Sequence, residues 1–321
     1  LNRLNEPRDL AFNPLVPGQL WVPNRADDSM VIITDAHLDT RTFLRRKDGY
    51  ALHFMEETAA IAFGAEETTF GSPGTFATCG ESRNTYNDQA PHNDFMGPAL
   101  WSSDLDIFAM EDPIGLGSHI DMLHHTPLCM GIAHEAANAY WVTGGLDGAL
   151  YWYDFGDDHD IGMDDHSDGR IKRYAMGEFT RVPDVPSHLV FRIEDSHVYN
   201  ADTGGGRIAK LDTTTGTRGR NIPKPEPVVE AYAMDDAVVT DVVPASSGLL
   251  KRPSGLEIHK DRLFVSDNET GIIHAFKLDG THLNSFDTGL GEGALSGLAF
   301  GPDDRLYFVD MKNDEVLRIE Y

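Results

Sequence analysis

The segment RPSGLEIHKDRLFVSDNETGIIHAFKLDG occupies residues 252–280, and ALSGLAFGPDDRLYFVDMKNDEVLRIE at 294–320 aligns with it almost without gaps. Each segment reads as a short strand, a tight turn, an alternating strand, a polar turn and a third strand. A recurring unit of this kind is typical of the blades of a propeller. The same frame fits two other segments well and two more loosely, at 6–35, 185–212, 129–155 and 59–82.

Six such units fill the chain, and each has an aliphatic anchor in its first strand. The anchors are Leu10, Ile61, Ile132, Leu189, Leu256 and Leu298. The sixth unit ends after its third strand, so we expect the N-terminal segment 1–4 to supply the outer strand and close the ring. The sequence therefore predicts an all-β protein, a six-bladed β-propeller that forms one domain over residues 1–321.

Composition and charge exclude several classes of function. The chain has 26 Lys and Arg against 52 Asp and Glu, which gives a formal net charge of −26. Such an acidic protein lacks the basic surface that nucleic acids require and is repelled by anionic lipid. No run of 18 apolar residues is present, so we expect no membrane insertion. The 31 Gly and 17 Pro suit many short strands.

We expect a monomer with a small-molecule or peptide ligand in its central channel.

The motifs PSGLEI…RLFVSDNETGIIHAFK and LSGLAF…RLYFVDMKNDEVLRI resemble the NHL-type repeats of six-bladed propellers. That superfamily includes peptidyl-hydroxyglycine amidating lyases, gluconolactonase-like enzymes, strictosidine-synthase-like proteins and protein-binding propellers, so the resemblance implies a fold and not one activity. The histidine position of the amidating lyases is not matched here. The gluconolactonase-like members imply a channel Ca²⁺ held by Glu, Asn and Asp, whereas this chain has serine in the aligned turns, at Ser187, Ser254 and Ser296.

Histidines precede the first strand in three consecutive units. Residues before strand one and after strand two of each blade gather on one face, because those strands are antiparallel. His53, the pair His124/His125 and His188 meet this condition. Adjacent residues of an extended chain point to opposite sides, so only one of the pair faces inward. We predict a mononuclear zinc or copper site at the channel mouth, with His53, His125 and His188 as ligands and Glu57 or Asp202 as the base.

Three alternatives stay open at this stage. The histidines can be ordinary hydrogen-bonded loop residues of a non-catalytic binding propeller. Asp202, Asp267 and Asp310, which each end a second strand, can cap the following turn instead of acting in chemistry. A calcium-dependent lactonase is the third alternative, and the serine turns argue against it.

The two cysteines, Cys79 and Cys129, fall on the same face of neighbouring units. A disulfide is one interpretation; a soft copper site that combines Cys129 with His125 and Met130 is the other. Because the sequence begins at Leu1 without an initiator methionine, we expect a processed chain and a periplasmic or secreted protein.

Two insertions stand out. Residues 156–174 carry six aspartates and two histidines, and we expect a solvated acidic loop on the face opposite the channel mouth, with Ca²⁺ binding as the alternative. Residues 81–103 follow a second strand and are expected to cover the mouth as a lid. Candidate pocket residues in that lid are Arg83, Tyr86, His92, Phe95 and Trp101.

Overall fold

Six sheets surround a central channel in the computed structural model, which describes residues 4–66, 74–85, 90–110, 115–163 and 165–320. The innermost strand of each sheet adjoins the innermost strand of the next, and the sixth adjoins the first. The ring is therefore closed, and the predicted six-bladed, all-β propeller is confirmed. All six predicted anchors border the channel.

The first three blades have four strands each from the channel outward. Blade 1 consists of β1 (Ala11–Phe12), β2 (Leu20–Asn24), β3 (Ser29–Thr34) and β4 (Thr42–Arg46). Blade 2 consists of β5 (Thr58–Phe63), β6 (Thr75–Gly80), β7 (Ala99–Ser102) and β8 (His119–Met122). Blade 3 consists of β9 (Ile132–Ala136), β10 (Ala139–Gly144), β11 (Ala149–Asp154) and β12 (Arg170–Tyr174).

The last three blades differ in their outer strands. Blade 4 consists of β13 (Leu189–Arg192), β14 (His197–Asp202), β15 (Arg207–Asp212) and β18 (Val239–Val243). Blade 5 consists of β19 (Pro253–His259), β20 (Arg262–Asp267), β21 (Ile272–Lys277) and β22 (His282–Asp287). Blade 6 consists of β23 (Leu295–Phe300), β24 (Leu306–Asp310) and β25 (Glu315–Arg318). The chain also forms one short helix, α1 (Ala51–Phe54), and two 3-10 turns, Arg25–Asp27 and Ala245–Ser247.

Burial is high in the second strands and low in the outermost strands of some blades. The central strand β10 (AYWVTG) is buried along its whole length, whereas the outermost strand β22 (HLNSFD) is exposed along its whole length. Bulky aromatic side chains fill the space between blades, and Trp21, Trp101 and Trp141 are almost completely buried. Apolar second and third strands therefore hold neighbouring blades together, while the fourth strands of blades 1 and 5 face water.

Gly255 and Gly297 follow the serines of the Ser-Gly-Leu turns, at the places where the innermost strands of neighbouring blades lie closest together. A Cβ added to Gly255 would lie 2.0 Å from the carbonyl oxygen of Ser296, and one added to Gly297 would lie 2.6 Å from Oδ1 of Asp9. No side chain fits at such distances, which accounts for the Ser-Gly-Leu pattern of blades 5 and 6. The serine hydroxyls lock the ring, since Ser254 donates to the carbonyl of Pro186 at 2.9 Å.

Closure of the ring by segment 1–4 involves residues 1–3, which lie outside the described residues. Leu4 packs with Leu20, Tyr307 and Val316, so the chain start lies against blades 1 and 6. The backbone N–H of Glu6 also donates to Oδ1 of Asp314 at 2.8 Å.

Two features bind blade 3 to its neighbours. Between β15 and β18, the chain leaves blade 4 to form β16 (Thr217–Asn221) and β17 (Glu230–Asp235), and β17 pairs in parallel with β12 at the outer edge of blade 3. We call the connection between these two strands, residues 222–229, the arch. The second feature is a disulfide between Cys79 and Cys129, with 5.7 Å between their Cα atoms, which joins blades 2 and 3. Cys129 therefore offers no thiolate to a metal.

Candidate metal centre

Arginines and carboxylates fill the mouth of the central channel. Nη2 of Arg25 lies 2.7 Å from Oε2 of Glu57 and 3.1 Å from Oδ1 of Asp184. Arg181 pairs with Glu81, which links blade 2 to the segment before blade 4. Calcium requires six to eight oxygen ligands, and permanently charged guanidinium groups among the carboxylates oppose it. The mouth does not fit the calcium site that the gluconolactonase-like resemblance implies.

His188 closes the channel just below this network. Its Nε2–H donates to the carbonyl oxygen of Ala59 at 3.2 Å, and its Nδ1 lies 3.6 Å from Oδ1 of Asp9. Asp9 accepts backbone N–H bonds from Leu10 at 2.8 Å and Ile61 at 2.9 Å. Burial raises the pKa of Asp9, while its proximity to His188 opposes that rise. His188 therefore connects three blades across the axis.

The two carboxylates predicted as bases have structural partners. Glu57 is half exposed and pairs with Arg25. Oδ1 of Asp202 accepts N–H bonds from Thr180 at 2.8 Å and Gly205 at 3.1 Å. Oδ2 of Asp202 pairs with Nε of Arg207 at 2.8 Å. Asp267 and Asp310 likewise accept backbone N–H bonds from the following turns. These aspartates cap turns, which is the alternative that the sequence left open.

The three predicted histidine ligands point to different places. His188 lies on the channel axis, and the Nε2–H of His125 donates to the carbonyl of Pro223 at 2.9 Å on the outer side of the arch. His53 is buried in a pocket between blades 2 and 3, with its ring centroid 5.7 Å from that of His124. In the part of the chain that the structure describes, these three histidines do not form a group able to hold one ion.

The pocket that contains His53 has a volume of about 490 Å³. Aromatic and apolar side chains form most of its wall, including Tyr50, Phe54, Phe95, Leu116, Pro225 and Pro227. The ring of Phe95 stacks on His124 at a centroid distance of 3.5 Å. Imidazoles thus meet in a largely apolar cavity away from the channel axis, which is the composition of a typical ligand site.

Three residues of this pocket form the one group of potential metal ligands found among the described residues. One ligand atom from each of His124, His166 and Glu226 lies within 4.8 Å of the other two. The three come from different parts of the chain: the end of blade 2, the 156–174 insertion of blade 3, and the arch. The fold assembles the group by bringing these insertions together at the outer part of the blade 2 and blade 3 interface.

A buried carboxylate orients each of the two imidazoles. Nδ1–H of His124 donates to Oε2 of Glu226 at 2.5 Å, and the backbone N–H of His124 donates to Oε1 of the same glutamate at 2.8 Å. Nδ1–H of His166 donates to Oδ1 of Asp121 at 2.7 Å. Burial raises the pKa of Asp121, and the hydrogen bond to His166 opposes that rise. Histidines that bind metals characteristically donate their second N–H to a carboxylate in this way.

Nε2 of His124 is the nitrogen best placed to act as a ligand. It is buried and has no hydrogen-bond partner in the described ranges. A buried nitrogen lone pair without a partner costs free energy, and a metal ion would remove that cost. Catalytic zinc sites keep a position open for water or substrate beside their protein ligands, and a pocket of this size has room for one.

The expected solvated loop at 156–174 is wrong around His166. The loop starts at the far end of β11, where the N–H of Gly162 donates to the carbonyl of His119 at 2.8 Å. From there it returns along β8, and His166 reaches Asp121 and the pocket. Strand twist of about 20 to 25° per strand tilts the outer strands of a blade, so an outer loop is not confined to one face. Asp164 lies outside the described residues.

The 81–103 segment contributes less than expected. Phe95 faces the pocket, whereas Arg83 pairs with Asp94 at 2.6 Å, His92 is exposed and Trp101 lies in the core. Tyr86 lies outside the described residues. Asn84, which the sequence did not single out, lines the pocket. No helix in the described ranges is long and apolar enough to cross a membrane.

The sequence did not single out His166 and Glu226, and it named His125 rather than His124 as a candidate ligand. In the structure it is His124 that lies with His166 and Glu226. The sequence did contain a hint of both residues. DDHSD (164–168) and KPEPV (224–228) are insertions that the repeats of the other blades lack. His124 and His125 do point to opposite sides as expected, and both contact the arch. Which of the two faces the pocket depends on the arch, whose placement on blade 3 is not encoded in the repeat.

No protein-family model matches the sequence, and no curated protein matches it. Solved structures match its fold. An auxiliary nutrient binding protein from Bacteroides thetaiotaomicron is 11% identical with a TM-score of 0.63, over 99% of this chain and 69% of that one. The calcium-binding protein regucalcin from Agrobacterium tumefaciens is 13% identical with a TM-score of 0.56, over 95% and 82%.

A third match is the luciferin-regenerating enzyme, which is 12% identical with a TM-score of 0.55, over 97% of this chain and 85% of that one. These similarities show the six-bladed propeller fold. At such identities the fold does not carry an activity with it.

Proposed function

We propose that this protein binds one zinc or copper ion in the pocket between blades 2 and 3. His124 and His166 provide imidazole ligands, and His53 supplies a further nitrogen in the same cavity. Glu226 accepts the Nδ1–H of His124 and so holds its Nε2 toward the ion. The observation that carries this proposal is the pair of buried carboxylate–imidazole hydrogen bonds, which present two oriented histidines to one cavity. Imidazole ligands suit zinc and copper alike, so the residues leave the choice between the two metals open.

The pocket gives the ion a place to act on a ligand. A zinc ion would activate water or polarise a carbonyl group, and a copper ion would permit electron transfer. The chain's own residues bind the ligand through the Tyr50, Phe54 and Phe95 side chains, and they restrict water around the ion. Glu226 and Asp121 hold the imidazole rings in place, which is a positioning role.

We also propose that the protein works in the periplasm or outside the cell. The disulfide Cys79–Cys129 supports this, since such bonds persist in oxidising compartments. The net charge of −26 gives high solubility there.

Metal content measured by plasma mass spectrometry tests the site. We expect about one zinc or copper per chain in protein purified without chelator and reloaded by dialysis. The variants His124→Ala and His166→Ala should lose this metal. His125→Ala and His188→Ala are matched controls, because these histidines lie outside the group, and they should retain it.

Two results would overturn the assignment. If His188→Ala or His125→Ala loses the metal while His124→Ala retains it, the ion binds elsewhere. If the wild-type protein retains neither zinc nor copper, the chain is a binding propeller, or a calcium protein if calcium alone is found. Thermal unfolding of each variant identifies any that fail to fold, and Glu226→Gln, which preserves side-chain size, then serves as the informative change.

A further inference from the structure

Two imidazoles also meet on the outer strands of blade 5. Nδ1 of His274, on β21, lies 2.9 Å from Oγ of Ser285. Nε2 of His282, on β22, lies 2.9 Å from the same oxygen. The two ring nitrogens therefore face one point in space, and imidazole nitrogens arranged in this way suit zinc, copper and nickel.

A β-bulge brings the second imidazole to this place. His274 lies directly opposite Ser285 in the pairing of β21 with β22, and a register shift then places His282 opposite Phe276. In regular pairing Leu283 would lie opposite Phe276, and His282 would point to the other face of the sheet. Bulges re-aim side chains in this manner. The local irregularity thus gives His274 and His282 a common face.

The spacing of the two rings agrees with a shared ion. Their centroids lie 5.8 Å apart, close to the 5.6 Å between His124 and His166 in the pocket. Since a metal lies about 2.1 Å from each ligating nitrogen, the centroids of two imidazoles on one ion lie roughly 4.5 to 6.5 Å apart, depending on the angle at the ion. Small side-chain rotations are therefore enough to bind one.

The surroundings leave the pair available as ligands. His274 is 5% exposed. Burial lowers its pKa, and the nearby His282 adds to this effect while Asp267 opposes it. The ring is therefore neutral at pH 7 and can offer a lone pair. Strand β22 is exposed along its whole length, so an ion in solution reaches His282 directly.

We propose that His274 and His282 bind one copper(II) ion at the outer edge of blade 5. Oxygen atoms from Ser285 and water fill the remaining positions, because copper(II) accepts mixed nitrogen and oxygen ligands and binds imidazole more tightly than other divalent first-row ions do. Two imidazoles hold the ion more weakly than the pocket does, so dialysis that retains the pocket ion removes this one. The site shares no residue with the pocket and does not depend on it.

Titration of copper(II) into the double variant His124→Ala/His166→Ala, freed of metal by a chelator, tests the proposal. We expect the parent to bind one copper(II), with an electron paramagnetic resonance spectrum that shows coupling to two imidazole nitrogens. A further change, His282→Ala, should weaken binding by about tenfold or more, since one imidazole remains. His259→Ala is the control on the same blade, where Nε2 pairs with Asp304 at 2.6 Å, and it should bind as the parent does.

The wild type provides a second measurement if the double variant does not fold. It should bind one copper(II) more than its His282→Ala variant, whether or not the pocket takes an ion. Because His282 is exposed, this variant leaves the core intact. Ser285→Ala keeps both imidazoles and should retain binding.

Three results would overturn the proposal. The first is equal copper(II) affinity with and without His282. The second is a spectrum that lacks nitrogen coupling. The third is a loss of binding in Ser285→Ala or His259→Ala as large as the loss in His282→Ala.

Discussion

The channel and the pocket between blades 2 and 3 are built from different parts of the sequence. Equivalent positions of six repeats form the channel, and each repeat contributes the same short strand. The pocket is built from segments that the repeats lack: the α1 region, the 81–103 and 156–174 insertions, and the arch. The chain thus keeps the repeated part for closure of the ring and concentrates its oriented histidines in the insertions.

This contrast also separates two uses of histidine. His188 lies on the channel axis, and its contacts with Ala59 and Asp9 link three blades. His124 and His166 lie off the axis, each with one ring nitrogen held by a buried carboxylate. A histidine at a conspicuous place in a symmetric fold can be structural, whereas two buried imidazoles that share one pocket, each held by a carboxylate, have the arrangement that metal-binding histidines show.

The largest expected effect comes from damage to the repeated part. Gly255→Ala should destabilise the protein by about 3 kcal/mol or more, because the new Cβ would lie 2.0 Å from the carbonyl oxygen of Ser296. Gly289→Ala is the control: no atom lies within 4 Å of its added Cβ, and only its φ of +73° opposes the change, at about 1 to 2 kcal/mol. Urea unfolding of both variants measures the difference, and equal losses would contradict the close approach of blades 5 and 6.

The next largest effect concerns the disulfide that joins the two blades around the pocket. Replacement of Cys79 and Cys129 by alanine should cost about 2 to 4 kcal/mol, as expected for a cross-link across 50 residues. Reduction of the wild type should produce a similar loss and should leave the double variant unchanged. If reduction lowers the stability of both proteins equally, the disulfide is not the cause.

Much of the fold was predictable because the repeat carries it. The anchors Leu256 and Leu298 and the Ser-Gly-Leu turns recur at fixed spacing, and the structure places all six anchors around the channel. Glu257 was also detectable, since alignment with Ala299 shows a charge where other units have a small residue. That signal lay in the same alignment that predicted the fold.

The pocket was not predictable in the same way. Glu226 is 102 residues from His124, and their contact requires a hairpin from blade 4 to pair with the edge strand of blade 3. Neither the spacing of the histidines nor the repeat pattern indicates that this hairpin pairs with blade 3. The sequence predicted histidines on loops in this region and included His53, but the choice between His124 and His125 depends on a tertiary contact.

A smaller effect should follow from weakening the pocket at its positioning residue. Glu226→Gln should lower zinc or copper affinity by about 10- to 100-fold, since the amide no longer supplies a charged acceptor to His124. Glu230→Gln is the matched control on the same hairpin, where the glutamate pairs with Arg218 at 3.1 Å. Competition with a chromogenic chelator measures both affinities. Equal affinities for the two variants would remove Glu226 from the site.

The last prediction concerns the channel and the dependence of stability on pH, and its effect is a slope rather than a fixed loss. Burial raises the pKa of Glu257 from an ordinary value of 4.5 to about 8. The folded state therefore holds a proton that the unfolded state has lost, so this group's contribution to stability falls as pH rises from about 4.5 to about 8. Glu257→Gln should remove that part of the slope. Parallel stability curves for wild type and variant across this range would show that the channel does not raise the pKa of Glu257.

The central claim is that the ion binds in the insertions rather than in the repeats, and anomalous diffraction from crystals of the metal-loaded protein tests it most directly. Data collected on both sides of the zinc or copper absorption edge should show one strong peak beside His124 and His166. A peak at the channel mouth beside His188 or Arg25, or no peak in fully loaded protein, would contradict the account.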